Sequence, residues 1–178
     1  MEKLLTPIRN FLEFIKEPLL AVLAALLITQ FLFAHTRIPT PSMEPTIMTG
    51  DHMIINRLPY YYRDPIKNEI VIFKHDGDLL VKRLIGEPGD TIDLIDGHVY
   101  VNDELLDESA YLDPSVESYP LSSTITFPFV VPEGYYFMMG DNRTRSADSR
   151  MFGPISRDVI VARGGFRIYP FNNIGLIY

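Results

Sequence analysis

The chain of 178 residues contains no cysteine, and its four histidines, His35, His52, His75 and His98, are widely spaced. Without cysteine, no disulfide can form and no thiolate can serve as a nucleophile or a metal ligand. The histidines show neither i,i+4 spacing nor the H-E-x-x-H arrangement, which argues against a zinc hydrolase. Basic residues are also scarce, 16 against 23 acidic ones, for a formal net charge of −7. This balance argues against nucleic-acid binding, which needs a basic face.

Charge is missing altogether from residues 18–34, a run of 17 residues that are mostly apolar. A helix of that length spans about 25 Å, close to the ~30 Å hydrocarbon core of a bilayer. The run therefore predicts a single transmembrane helix. A cleaved signal peptide is an alternative, although the apolar run is long and three acidic residues precede it. A buried core helix is a second alternative, and the absence of a polar stripe counts against it.

The charges that flank this run predict its orientation. Lys3, Arg9 and Lys16 precede it, whereas only Arg37 follows closely. Cytoplasmic flanks carry the excess of basic residues, so we expect a cytoplasmic N-terminus. The sequence then divides into an N-terminus and membrane anchor over 1–34 and an extracytoplasmic domain over 35–178. The predicted location is the cell membrane, crossed once.

The second region consists of short apolar segments separated by Gly, Pro, Asn and Asp, a pattern typical of β-strands. An Asp96-Gly97 pair in the middle of residues 91–101 predicts a β-hairpin. Further strands are expected at 53–55, 70–73, 79–81, 125–131, 135–139, 159–162 and 166–169. The fold class is therefore mainly β, an antiparallel barrel or sandwich after one transmembrane helix. Residues 103–119, rich in acid, Ser and Pro, are expected to form a surface loop.

Few catalytic schemes remain without cysteine or clustered histidines, and a serine paired with a lysine is one of them. Serine is a poor nucleophile until a base takes its proton. Lysine can be that base if burial lowers its pKa. Lys82 lies in an apolar strand, where it would share a face with Leu80 and Leu84 while Arg83 points the other way. The alternative is a lysine whose amine extends to water.

Two further segments could contribute to a site. Ser42 lies among three prolines at positions 39, 41 and 45, which would hold it in a rigid backbone. The alternative is an ordinary serine in a Pro-rich linker. Residues 140–150 combine turn formers, hydroxyls and alternating charge directly after an expected strand. Such a loop can hold a site or can simply contact solvent.

Taken together, these segments resemble the type I signal peptidases, the membrane-bound Ser/Lys leader peptidases. The sequence Pro-Ser-Met-Glu-Pro-Thr at 41–46 is similar to the nucleophile motif of that family, and residues 50–57 to the motif that follows it. Residues 81–90 resemble the lysine motif, and residues 140–155 the last one. Four motifs in this order after one apolar segment form a highly specific match over residues 18–170. The insert of some relatives between the last two motifs is short or absent here.

The resemblance implies a role for each matched residue. Ser42 would be the nucleophile and Lys82 the general base, which Ser146 would orient through a hydrogen bond. The Ser42 backbone N–H and the Thr40 hydroxyl would hold the oxyanion, although several relatives have serine in place of Thr40. An ion pair between Asp148 and Arg150 would brace the loop, and Asp141 and Arg143 would be structural too.

The resemblance also implies the substrate. Family members remove signal peptides from secretory precursors after small residues at −1 and −3, the Ala-x-Ala pattern. Shallow apolar pockets would be lined by Ile38, Met43, Ile47 and Val81. Thr36 replaces a bulkier residue of some relatives, which leaves the size of the −3 pocket open. The implied partners are signal peptides and membrane lipid, with no cofactor, metal or nucleic acid.

Three alternatives to a general signal peptidase stay open. A self-cleaving repressor-type protease uses the same two residues, but it needs a DNA-binding domain, whereas this N-terminus is apolar. A specialised peptidase would process a single precursor. A membrane-anchored β-domain without activity would act as a receptor or scaffold, although every implied catalytic position here is filled.

Overall fold

The computed structural model describes residues 2–177, without the side chains of residues 2–10, 12 and 29–31. A single long helix, α1 (Glu2–Phe31), opens the chain and includes most of the predicted apolar run. Among the described residues, we find no helix whose length and mean hydropathy suit a membrane crossing. The expected transmembrane anchor is therefore not supported by this part of the chain. Lys3 and Arg9, on which the predicted orientation rests, lie outside the described side chains.

Two antiparallel sheets make up the rest of the molecule, as the alternating sequence predicted. The larger has the strand order β1-β2-β11-β3-β4-β9-β10, and β12 pairs with β11. The smaller has the order β7-β6-β5-β8. The strands of the larger sheet are β1 (Phe33–Arg37), β2 (His52–Asn56), β3 (Ile70–His75), β4 (Asp78–Gly86), β9 (Tyr135–Met139), β10 (Ile155–Ser156), β11 (Ile160–Tyr169) and β12 (Gly175–Leu176). Those of the smaller sheet are β5 (Thr91–Ile95), β6 (His98–Val101), β7 (Glu104–Leu105) and β8 (Phe129–Val130). Short 3-10 helices cover Leu58–Tyr61, Arg157–Val159 and Phe171–Asn173, and α2 covers Ser149–Phe152.

The predicted hairpin lies between β5 and β6. Asp96 and Gly97 both have positive φ, 49° and 80°. That geometry is required at both central residues of a type I′ turn, which matches the twist of the flanking strands. The hairpin prediction is therefore confirmed.

Other strand predictions were less accurate. The two strands expected over 159–162 and 166–169 form one strand, β11, which begins at Ile160 and continues through Gly164 and Gly165, while Val159 ends the preceding 3-10 helix. A Cβ at Gly165 would collide with the carbonyl oxygen of Ile54 on β2, so glycine allows the close approach. The strand expected over 125–131 is reduced to Phe129–Val130. Pro128 precedes it and cannot donate to a sheet ladder.

The surface loop predicted over residues 103–119 is only partly a surface loop. It contains β7, and the side chains of Leu112 and Ser118 are buried. The acidic and polar composition suggested solvent contact throughout. Three of its side chains instead contact buried arginines near the candidate site, as described below.

Buried apolar side chains beneath the large sheet support the candidate site. One cluster joins Ile38, Met43 and Ile47, which flank Ser42, to Met53 and Ile70. Val81, the neighbour of Lys82, packs against the same cluster. The Pro-rich segment is therefore part of the core and not a solvated linker, which places Ser42 rigidly beside β4.

Candidate active site

Three sequence segments meet at the middle of β4. Lys82 is on β4, Ser42 is in the loop after β1, and residues 140–150 follow β9. β4 pairs with β9 so that Arg83 lies opposite Met139. The polar loop that begins at Gly140 therefore starts next to Lys82. The structure thus brings together the segments that the sequence could only consider separately.

The backbone around Ser42 is held on both sides. The amide of Ile47 donates to the Met43 carbonyl at 2.9 Å, and the amide of Asn142 donates to the Ser42 carbonyl at 3.1 Å. A Cβ on Gly140 would collide with that same carbonyl oxygen and with Ser146 Oγ. Glycine at position 140 therefore allows the polar loop to pack directly against the serine.

Lys82 and Ser42 form a direct contact. Lys82 Nζ lies 2.8 Å from Ser42 Oγ and 3.0 Å from the Val81 carbonyl oxygen. The lysine is 2% exposed and the serine 7%. Burial lowers the pKa of Lys82 to about 8, against the opposing effect of the negative charges of Asp148 and Asp141. A lysine in this state is poised to exchange a proton with the serine near neutral pH.

The two hydroxyls predicted to assist are placed differently. Thr40 Oγ1 lies 3.5 Å from Ser42 Oγ, on the side of the serine that opens into a cleft. Ser146 Oγ is buried and has no hydrogen-bond partner among the described residues. The hydrogen bond expected between Ser146 and Lys82 is thus not formed in this structure. The hydroxyl packs instead beside Gly140, and its role stays a prediction.

The Asp148–Arg150 ion pair is present and fully buried. Arg150 Nε and Nη2 donate to the two carboxylate oxygens at 2.9 and 2.8 Å. Asp148 also accepts from the Gly140 amide at 3.0 Å and caps α2. Because Gly140 in turn lies against Ser42 and Ser146, this pair holds the loop in its position behind the serine and the lysine.

A second buried pair was missed by sequence reasoning. Arg83 Nε and Nη2 donate to Asp141 at 2.9 and 2.8 Å, and Thr46 Oγ1 donates to the same carboxylate at 2.5 Å. Arginine in an apolar strand signals a buried charge that needs a partner, so position 83 could have been noticed. The identity of that partner, 58 residues away in the chain, could not.

Loop 103–119 contributes three further contacts that no pattern in the sequence indicated. The Arg83 guanidinium lies over the ring of Tyr111, 3.8 Å from its centroid. Arg143 Nη1 donates to Glu108 Oε2 at 2.9 Å and to Ser118 Oγ at 2.6 Å. The loop therefore stabilises the 140–150 segment from outside, through charges that are shielded from water.

An apolar cleft of about 350 Å³ lies beside Ser42. Ile38, Met43 and Val81 line it, as the sequence led us to expect, together with Thr36 and Thr40. Ile47 does not line the cleft. It is fully buried in the apolar cluster that also contains Ile38 and Met43, so it supports these two lining side chains. No group of three or more metal-ligating side chains is found among the described residues. The cleft and the Ser42–Lys82 pair can together bind an extended apolar segment and attack its carbonyl.

Comparison with known proteins identifies the family of the chain. The family model described as signal peptidase, peptidase S26, matches residues 11–169. A probable signal peptidase I-2 of Synechocystis sp. is 36% identical over 96% of this chain and 79% of the relative. Signal peptidase I T of Bacillus subtilis is 37% identical over 93% and 89%. A crystal structure of a signal peptidase I from Enterococcus faecalis is 31% identical, covers 57% of this chain and 97% of that one, and has a TM-score of 0.48.

Proposed function

The chain belongs to the signal peptidase family, peptidase S26, and is a serine endopeptidase; from that premise we propose that it removes signal peptides from secretory precursors after small residues at −1 and −3. Ser42 is the nucleophile and Lys82 the general base. The observation that carries this assignment is the 2.8 Å contact between Lys82 Nζ and Ser42 Oγ, both buried.

The reaction follows from the protonation state of Lys82. With a pKa of about 8, about a tenth of the lysine is neutral at pH 7. The neutral amine takes the Ser42 proton as Oγ attacks the scissile carbonyl. The carbonyl oxygen becomes an oxyanion, which the Ser42 backbone N–H and the Thr40 hydroxyl stabilise. The C–N bond then breaks, and the Lys82 ammonium gives its proton to the leaving amine.

Hydrolysis of the resulting ester uses the same lysine. Lys82, neutral again, takes a proton from a water molecule as the water oxygen attacks the acyl carbon. The proton then passes to Ser42 Oγ, which leaves as the hydroxyl. We propose that the Ser146 hydroxyl, which has no partner among the described residues, turns to hydrogen-bond Lys82 and orients it during these transfers. Because the base must be neutral, activity should rise with pH up to about 8 and level off above it.

The shape of the cleft supports the preference for small side chains. Ile38, Met43 and Val81 narrow it next to Ser42, and all three side chains are held by the core. Thr36 lines the same cleft and leaves the −3 side wider than a bulky residue would. A precursor with alanine at both positions would fill these places without collision.

We also propose that α1 anchors the domain in the membrane, with the N-terminus in the cytoplasm and the domain on the extracytoplasmic face. Support comes from the exposed apolar side chains Leu19, Leu20, Val22 and Leu23 on α1. At the opposite end of the chain, exposed apolar side chains accumulate on β11, β12 and the turn between them: Phe166, Tyr169, Phe171, Ile174 and Leu176. Extraction of membranes with alkaline carbonate tests the anchor. Release of the chain into the supernatant would refute it.

The function is tested with a precursor that carries an Ala-x-Ala site, in detergent–lipid micelles. Wild type should cut after the −1 alanine, whereas Ser42→Ala and Lys82→Ala should be folded and inert. Ser146→Ala should lose up to about tenfold in kcat, since one neutral hydrogen bond contributes about 0.5–1.5 kcal/mol. Lys74→Ala, an exposed lysine on the neighbouring strand β3, is the matched control and should keep full activity. Folded wild type that does not cut would sink the assignment.

A further inference from the structure

A second opening adjoins the nucleophile, and the substrate cleft does not include it. It is a groove of about 550 Å³ between residues 112–119 on one side and residues 141–144 on the other. The turn that carries the nucleophile separates the two openings. Ser42 and Met43 line the apolar cleft, whereas Glu44 and Pro45 line the groove. The two openings therefore lie on either side of that turn, and the groove begins two residues beyond Ser42 along the chain.

The outer wall of the groove is fixed and does not depend on a ligand. Loop 103–119 supplies that wall, and it is attached through Glu108 and Ser118 to Arg143, which is 2% exposed. Tyr111 of the same loop lies under the buried Arg83 guanidinium. Because these contacts involve buried charges, the wall should stay in place when the groove is empty.

We propose that this groove binds the segment of the precursor that follows the scissile bond, an inference that rests on the proposed function. A polypeptide with its scissile carbonyl at Ser42 and its small residues in the apolar cleft must leave the site on the other side of the serine. The groove begins just past the turn that carries Ser42: its lining residue Glu44 is two positions from the serine, and the amide of its lining residue Asn142 donates to the Ser42 carbonyl at 3.1 Å.

The charge of the groove determines which segments it favours. Three lining carboxylates, those of Glu44, Asp113 and Glu117, accept hydrogen bonds from Thr49, Ser115 and Tyr119, and within the described residues none of them pairs with a cation. The remaining charged lining residues are neutralised, Asp141 by Arg83 and Arg143 by Glu108. The groove is thus negative, and it favours basic or neutral side chains just after the cleavage site over acidic ones.

Two precursor peptides test this preference. Both carry the same Ala-x-Ala site, and they differ only in two lysines or two glutamates at the second and third positions after the cut. Each exposed charge contact changes binding by about 0.2–1 kcal/mol, so kcat/KM should differ by about 1.5- to 5-fold per position in favour of lysine. The difference should shrink in 0.5 M salt because the carboxylates are near the surface.

A matched pair of variants assigns the effect to the groove. The triple variant Glu44→Gln, Asp113→Asn, Glu117→Gln should lose the preference for the lysine peptide. The control triple variant Glu104→Gln, Glu133→Gln, Asp158→Asn removes the same charge from exposed positions elsewhere, and it should keep the preference. A groove variant that discriminates as strongly as the control would overturn the proposal.

A binding measurement separates this proposal from the proposed function. The full chain with Ser42→Ala, in micelles, is titrated with each peptide carrying a fluorescent label, and anisotropy reports the affinity. Tighter binding of the lysine peptide, abolished by the groove substitutions, supports the groove. Equal affinities overturn it. Wild type that binds with this preference but leaves both peptides uncut would contradict the peptidase assignment and not the groove.

Discussion

Two consecutive basic residues of β4 are both buried, but only one of them pairs with a carboxylate among the described residues. Arg83 and Lys82 are each 2% exposed. Arg83 makes two hydrogen bonds to Asp141 and stacks over Tyr111, so its charge is compensated. Among the described residues, Lys82 reaches only a serine hydroxyl and a backbone carbonyl, and burial lowers its pKa. The difference shows that, at the same depth of burial, a charge is tolerated where a carboxylate compensates it and is disfavoured where no carboxylate does so.

The arginines explain why the lysine has no carboxylate partner. Asp141 and Asp148 are the two acids whose charge reaches Lys82. Each is already engaged on both oxygens by a guanidinium, Asp141 by Arg83 and Asp148 by Arg150. A carboxylate free to pair with Lys82 would raise the pKa of the amine and hold its proton. The two arginine–aspartate pairs thus leave Lys82 without a carboxylate partner among the described residues, which keeps its amine able to act as a base.

The largest expected effect comes from making position 82 resemble position 83. Lys82→Arg keeps a cation beside Ser42, but a guanidinium does not lose its proton near neutral pH. Because general-base catalysis contributes about 10²- to 10⁴-fold, kcat should fall by about that factor. Peptidase assays on the Ala-x-Ala precursor measure this. Lys74→Arg on β3 is the control, and substantial activity in Lys82→Arg would disprove the role of the lysine as base.

A second substitution breaks the buried ion pair between Arg83 and Asp141. Asp141→Asn leaves the Arg83 charge buried without compensation, so the free energy of unfolding should drop by about 3–5 kcal/mol. Urea denaturation followed by circular dichroism measures the loss, with Glu133→Gln as an exposed control. The double variant Arg83→Met, Asp141→Leu should recover part of it. A change below about 1 kcal/mol for Asp141→Asn would mean that the pair is not required for stability.

A third substitution tests the oxyanion site beside Ser42 by removing the hydroxyl of Thr40. Thr40→Val keeps the shape of the side chain but removes the donor expected to hold the oxyanion. The loss of one such donor typically costs about 2.7–4 kcal/mol of transition-state stabilisation, or about 10²- to 10³-fold in kcat. Thr40→Ser keeps the hydroxyl and should retain most activity. Nearly equal kcat values for the valine and serine variants would exclude Thr40 from the oxyanion site.

The smallest expected effect concerns the stability cost of the lysine. Its folded pKa of about 8 is below the ordinary 10.5, so below pH 8 the folded state holds a charge that burial disfavours. Lys82→Met should therefore raise the free energy of unfolding at pH 7, by at most roughly 3 kcal/mol. The gain should diminish as pH rises from 8 toward 10.5, where the unfolded chain also loses the proton. A gain that does not change with pH would indicate better packing and not relief of a buried charge.

Sequence reasoning reached the reactive residues more reliably than their surroundings. Ser42 and Lys82 were singled out because their segments resemble the motifs of one protein family, and the structure places the two side chains in contact. Ile47 was grouped with Ile38 and Met43 from its place in the same motif, but its side chain turns into the core. A motif specifies which residues are close in the chain, whereas it does not specify which face of a turn each side chain occupies.

By itself, the sequence determined the class of chemistry, the β character of the domain and the hairpin at Asp96-Gly97, since each depends on residue types within a short segment. Only the tertiary structure decided which charges are compensated. Arg83 meets Asp141, and Arg143 meets Glu108, across 58 and 35 residues of chain. The pKa of Lys82 depends on those distant pairings and on the burial that β4 and the loops impose. Such properties come from the packing of separate segments, so no local pattern could have revealed them.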